Sequence, residues 1–146
     1  MVIRTAIDIE ASAEAVWAIL VDFDSYGDWN PLTVKVEGSP VVDEVVKLHV
    51  ELGGQRMVRK HVISRVEEGA ALCWTIRTRQ PWLMRGERSQ TLEVLGDGRC
   101  RYANEERVEG LASVIVALTY KGKIRRGIEA VGHALKERAE KACVEN

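Results

Sequence analysis

The C-terminal third of the chain leaves the fewest options. Between residues 111 and about 143 only Gly122, Gly127 and Gly132 interrupt helical character. Leu111, Val114, Leu118, Ile124, Ile128, Val131 and Leu135 return mostly at three- and four-residue steps. This predicts one long amphipathic helix whose apolar stripe must be covered by the rest of the molecule. The opposite face carries Lys121, Lys123, Arg125, Arg126, Lys136, Arg138 and Lys141, the pattern of a solvated surface. A helix lying on a membrane shows the same pattern, but the remainder of the chain needs the apolar stripe for itself.

That remainder reads as strands. Residues 2–10 alternate, with Ile3, Thr5, Ile7 and Ile9 on one face and Arg4, Ala6, Asp8 and Glu10 on the other. Ser12 is a good N-cap for a short helix that collects Val16, Trp17, Leu20 and Val21 and ends near Asp22. A second brief helical turn, residues 24–28, leads to Trp29-Asn30-Pro31, where the proline forces an extended residue before it. Residues 32–37, 45–52, 56–67 and 71–78 follow as antiparallel strands bounded by Gly53-Gly54, Gly69 and Pro81. In the last of these, Leu72, Trp74 and Ile76 share a face opposite Cys73, Thr75 and Arg77, so Trp74 is expected to point inward.

Two further strands, residues 85–95 and 99–110, flank Gly96-Asp97-Gly98, and their side chains choose the register. A two-residue loop at Asp97-Gly98 sets Val94 against Arg101 and Glu93 against Tyr102, mixing apolar and charged partners. A three-residue loop with Gly98 in the left-handed position of a bulged turn instead pairs Glu93 with Arg101 and Glu87 with Arg107 on one face. On the other it pairs Val94 with Cys100, Leu92 with Tyr102, Gln90 with Asn104 and Arg88 with Glu106. The second register is the expected one. Its inner face is apolar near the turn and polar at the far end.

Composition narrows the function classes. The 146 residues suit a single domain over 1–146, and 21 basic against 22 acidic side chains provide no stripe for a phosphate backbone. Nucleic acid is therefore not an expected partner. Cys73, Cys100 and Cys143 are odd in number and widely spaced, which suits a reducing cytoplasm. His49, His61 and His133 lack ligand spacing and read as surface or strand residues. No apolar run is long enough for stable membrane insertion, and the N-terminus is strand-like and shows no export signal. A monomer or homodimer is expected. Four of the eight aromatic residues are tryptophan and Phe23 is the one phenylalanine, so the core has few large rings to fill it.

The element order, Val16-Trp17, Tyr26 before Trp29-Asn30-Pro31, Gly86-Glu87, and Glu106-Arg107-Val108-Glu109-Gly110 before a helix ending Ala134-Leu135-Lys136-Glu137-Arg138-Ala139-Glu140 carry a family likeness. The chain resembles the SRPBCC or START-like superfamily, in particular its polyketide cyclase/dehydrase branch. The resemblance implies an α+β helix-grip fold: a curved seven-stranded antiparallel sheet wrapped around the long C-terminal helix, with two short helices after the first strand. It also implies a cavity between sheet and helix for an apolar or amphipathic small molecule. Such proteins include aromatase/cyclases, lipid and sterol carriers, hormone receptors and sequestering proteins, so the site has to choose among them. Relatives often carry histidine or phenylalanine where this chain has Arg88, Gln90 and Asn104.

In the expected register Arg88, Gln90, Asn104 and Glu106 project into the space under the helix. A buried charge must pair, stay wet or meet a ligand. One reading is a cross-strand ion pair plus an amide pair that closes the end of the grip. The other makes Arg88 and Glu106 catalytic, Arg88 binding a carbonyl, carboxylate or enolate and Glu106 exchanging a proton, with Gln90 and Asn104 orienting the ligand. Tyr102 and Tyr120 offer hydroxyls, while Trp74, Trp29 and Leu118 are expected at the ligand's apolar surface and Met57, Trp82 and Met84 near an apolar entrance. No cofactor or metal is expected. The function expected from the resemblance is small-molecule binding with possible cyclase/dehydratase chemistry. A non-catalytic carrier or sequestering protein for a lipid, quinone-like or toxic metabolite is the alternative.

Overall fold

The computed structural model describes residues 1–76 and 78–145. The chain runs β1 (Val2–Ile9), α1 (Ala13–Val21), a 3-10 segment (Phe23–Asp28), β2 (Thr33–Glu37), β3 (Val45–Leu52), β4 (Gln55–Glu67), β5 (Ala71–Ile76), β6 (Arg85–Gly96), β7 (Arg99–Glu109) and α2 (Ser113–Glu145). The seven strands form one antiparallel sheet in the order β1-β7-β6-β5-β4-β3-β2. Consecutive strands from β2 to β7 are neighbours, and β1 closes on β7. This is the helix-grip fold.

Local chemistry sets the element ends. The Ser12 side chain accepts from the Ala15 amide at 3.1 Å and caps α1. Asn30 Oδ1 accepts from the amides of Leu32 (3.0 Å) and Thr33 (2.8 Å), which turns the chain into β2. The expected strand through residue 78 ends at Ile76; Arg77 lies outside the described residues.

The few large rings are not scattered. Trp74, Phe23, Tyr26 and Trp29 follow one another edge-on, with centroids 6.4, 5.4 and 5.2 Å apart, and tie the 3-10 segment to β5. Tyr26 donates its hydroxyl to the Leu20 carbonyl at 2.6 Å.

The β6–β7 register is the expected one, including Arg88 opposite Glu106, Gln90 opposite Asn104, Glu93 opposite Arg101 and Val94 opposite Cys100. The turn that produces it differs. Gly96 pairs with Arg99, so Asp97 and Gly98 alone form the loop, both with positive φ (54° and 71°). The bulge lies between Val94 and Gly96, and the extra residue, Leu95, restores the matched register. A two-residue turn and the matched pairs are therefore compatible.

Helix α2 packs on β1 and β7, with Ile128, Val131, Gly132, Leu135 and Ala139 buried. Each large aliphatic side chain fully buried there contributes about 1.5–3 kcal/mol relative to exposure. Gly132 permits close approach: a side-chain carbon there would meet Ile7 at 3.4 Å and the Tyr102 ring at 4.0 Å. The expected apolar stripe is only partly covered. Ile124 is half-buried, while Leu111, Val114 and Leu118 are exposed, because the helix begins before the sheet offers a surface to cover it.

Candidate functional site

A cavity of about 150 Å³ lies in the concave face of the sheet, partly open to solvent. Leu48, Val50 and Leu52 of β3, Met57, Arg59 and His61 of β4, Trp74 and Ile76 of β5, Gly86 and Arg88 of β6, and Glu106 of β7 contribute to its wall. Leu32, Thr33 and Ile124 complete the lining. The wall is mostly aliphatic, so its polar groups stand out.

Arg88 Nε donates to Glu106 Oε2 at 2.7 Å, and each side chain is 13% exposed. Antiparallel pairing places the two residues opposite one another, and the alternation of β6 and β7 turns both inward. Among the described residues Arg88 donates only through Nε, which leaves its terminal nitrogens available to solvent or a ligand group. His61 is buried beside them in the wall. Burial holds its imidazole down to about 4, with the nearby Arg88 and Arg59 charges acting in the same direction and a hydrogen bond to the Arg59 carbonyl opposing. His61 is thus neutral at ordinary pH, both a donor and an acceptor. His61 is a strand residue, one of the two expected places, and not a surface one; alternation through Ile63, opposite the inward-facing Trp74, puts it inside.

Gln90, Asn104 and Tyr102, expected as ligand contacts, do not line this cavity: on the next inward rung the two amides bond to the Tyr102 hydroxyl instead. Tyr102 Oη donates to Gln90 Oε1 at 2.7 Å and accepts from Asn104 Nδ2 at 3.0 Å. Burial pushes the Tyr102 hydroxyl well above its ordinary range and keeps it protonated. Gln90 Nε2 and Asn104 Oδ1, a buried donor and a buried acceptor, have no protein partner. Each unpaired group costs about 1–3 kcal/mol.

The other expected ligand contacts divide. Trp74 is buried in the cavity wall. Trp29 is half-buried against the Tyr26 ring and borders a separate cleft with Ala134, Glu137, Arg138 and Lys141, because the turn at Asn30 carries it toward the C-terminal half of α2. Tyr120 is half-buried with Lys123 Nζ 5.7 Å from its ring centroid, and does not contribute to the cavity lining. Leu118 is 84% exposed, on a helical turn with no sheet beneath it. Of the expected entrance residues Met57 lines the cavity, Met84 is half-buried and Trp82 is 64% exposed.

Among known protein families, the one described as polyketide cyclase / dehydrase and lipid transport matches residues 1–140. No curated protein sequence matches the chain. Among solved structures, a START superfamily protein from Mycobacterium smegmatis is 19% identical, with 97% of this chain and 98% of that one covered at a TM-score of 0.74. The Zhui aromatase/cyclase from Streptomyces sp. R1128 is 18% identical, covering 97% and 94% at 0.76. Norcoclaurine synthase from Thalictrum flavum, in complex with dopamine and hydroxybenzaldehyde, is 13% identical, covering 94% and 87% at 0.66.

Proposed function

The chain belongs to the polyketide cyclase / dehydrase and lipid transport family, and on that premise we propose that its cavity binds an apolar or amphipathic small molecule by an oxygen-bearing head. One observation carries the reading: an ion pair between side chains 13% exposed stands in a mostly apolar wall, whose other polar members are Thr33, Arg59 and His61. Desolvating two charges is costly, and their single mutual hydrogen bond leaves donors unused. A ligand carbonyl, phenol or carboxylate would take those donors, with His61 beside it in the wall. About 150 Å³ accepts one ring-sized group, so a longer molecule would extend through the opening.

In the catalytic form of this proposal the reaction is an intramolecular aldol cyclisation or dehydration. The wall folds a flexible chain into a reactive conformer, Arg88 stabilises the developing enolate oxygen, and Glu106 takes or returns the proton. The carrier reading uses the same cavity without the proton transfer. It is favoured by the exposed apolar side chains at the start of α2, which an enclosed catalyst does not need.

Native mass spectrometry of freshly purified protein, together with titration of 2-naphthoate as a ring-plus-carboxylate probe, tests the binding reading. A retained apolar ligand or saturable probe binding is expected, with affinity about ten-fold weaker in Arg88→Met. Folded protein that arrives empty and binds no probe would overturn it.

A further inference from the structure

The first turns of α2 extend past the sheet and leave their apolar side chains uncovered: Val114, Ile115 and Leu118 are all exposed. The loop between β5 and β6 adds to the same surface. The amide of Leu111 donates to the Trp82 carbonyl at 3.3 Å and that of Ala112 to the Leu83 carbonyl at 2.8 Å, so the exposed Trp82 and Leu83 sit beside the helix start. Gly110, at φ 100°, makes this possible, since a side-chain carbon there would lie 2.6 Å from the Leu83 carbonyl oxygen. A contiguous apolar group of this kind on a water-soluble surface marks a place that meets something else.

Charge identifies the partner. Residues 111–128 contain Lys121, Lys123, Arg125 and Arg126 and no carboxylate. Val114, Leu118, Lys121 and Arg125 succeed one another at steps of four, three and four, and Ile115 and Arg126 run alongside. One side of the helix is therefore apolar in its first turns and basic in the next two. Bringing two copies together through this face would oppose base to base, with no acid in the segment to offset them. An anionic bilayer matches both halves: apolar side chains enter the acyl boundary, a tryptophan sits at headgroup level, and lysine and arginine meet lipid phosphate.

We propose that this face, formed by Leu111, Val114, Ile115, Leu118, Trp82 and Leu83 with Lys121, Arg125 and Arg126, docks reversibly on an anionic lipid bilayer. Its position gives the docking a use. Ile76 and Gly86, at the strand ends joined by the Trp82 loop, and Ile124, six residues after Leu118, all line the cavity. A lipophilic molecule could then pass between bilayer and cavity with little exposure to water. The docking surface rests on its own side chains, and not on the identity of any cavity ligand.

Co-sedimentation with vesicles of phosphatidylcholine alone and of phosphatidylcholine with phosphatidylglycerol tests the proposal. Wild type is expected to bind the mixed vesicles, to bind pure phosphatidylcholine weakly, and to be released by high salt. Ile115→Ser with Leu118→Ser should weaken binding about ten-fold or more. Lys121→Glu with Arg125→Glu should cost at least about five-fold per base and remove the preference for anionic lipid. A blue shift of tryptophan emission on docking should disappear in Trp82→Phe. Far-ultraviolet circular dichroism establishes that each variant is folded. Failure of folded wild type to bind mixed vesicles would overturn docking, as would binding that neither double variant alters. So would a concentration-dependent dimer that Leu118→Ser dissolves while vesicles bind nothing. None of these outcomes depends on 2-naphthoate binding, so the cavity reading stands or falls separately.

Discussion

Arg88 and Glu106 face each other because two strands pair in one register, and their 2.7 Å contact can serve the fold, a ligand, or both. Stability and binding separate these roles. Replacing a poorly solvated ion pair with apolar side chains of similar size is often neutral or stabilising by about 1–4 kcal/mol. Arg88→Met with Glu106→Leu is therefore expected to unfold at an equal or higher urea concentration while losing 2-naphthoate binding. A loss of more than about 2 kcal/mol would make the pair a fastener of the fold instead. Glu106→Gln keeps a hydrogen-bond acceptor for Arg88, so probe affinity should change little; any cyclisation or dehydration turnover should vanish, and unchanged turnover would remove Glu106 from the chemistry. His61 has a signature of its own. Its folded value, about 4, lies below the ordinary 6.5, so the unfolded chain binds the proton more readily. Stability contributed by neutral His61 is fully present above pH 6.5 and is lost as pH falls toward 4, by up to about 3 kcal/mol. The lowered carboxyls of Glu105, held down first by Arg4, and Glu140, held down first by Lys136, act at lower pH. Their stabilisation is present above their ordinary 4.5 and is lost as pH falls through their folded values. Urea titrations from pH 7 to pH 4.5 should thus show a slope that His61→Gln flattens.

At the scale of elements, two turns carry more than their length suggests. Asp97-Gly98 closes the β6–β7 hairpin with both residues left-handed, and the bulge at Leu95 shifts the pairs by the one position that keeps charge opposite charge. The segment before α2 depends on Gly110. Gly110→Ala meets both an unfavourable φ and the Leu83 carbonyl, and should cost about 2 kcal/mol or more in urea denaturation. An unchanged midpoint would show that the β5–β6 loop is free of α2. Alternation and cross-strand charge matching made most strands and this pairing legible beforehand, because both depend on neighbours a few positions away. The periodicity of residues 111–143 correctly indicated a helix, but Leu111, Val114 and Leu118 carry the same period as Ile128 and Leu135. No local pattern distinguishes a stripe covered by a sheet from one that runs beyond it.

For the whole molecule, the cavity belongs to the curvature of the sheet. Gly86 lines it, and a carbon added there would first meet the end of the flexible Ile76 side chain at 2.8 Å. Gly86→Val should narrow the space and weaken probe binding several-fold while the far-ultraviolet circular dichroism of the sheet is kept; undiminished affinity would place the probe elsewhere. A ligand held only by the folded state at about one hundred times its Kd adds about 2.7 kcal/mol of stability, which differential scanning fluorimetry reads as a higher Tm. Among the described residues no helix is long and apolar enough to cross a membrane.

The shortage of large rings illustrates the division between sequence and tertiary structure. Four tryptophans and one phenylalanine predict a core with room in it, with most of the tryptophans near the cavity's walls and mouth. The folded chain places only Trp74 of the four in the cavity lining; Trp17 is in the core, Trp29 beside the second half of α2 and Trp82 on the surface. The amino-acid sequence by itself determined the order of the elements, the β6–β7 partners and the inward pairing of Arg88 with Glu106, because period, capping and opposite charge act over short distances. Tertiary structure alone decided that Gln90 and Asn104 keep buried groups with no protein partner and that Leu118 faces outward. Each of those outcomes depends on where a curved sheet stops and a straight helix continues, a geometry that no segment of the chain specifies alone.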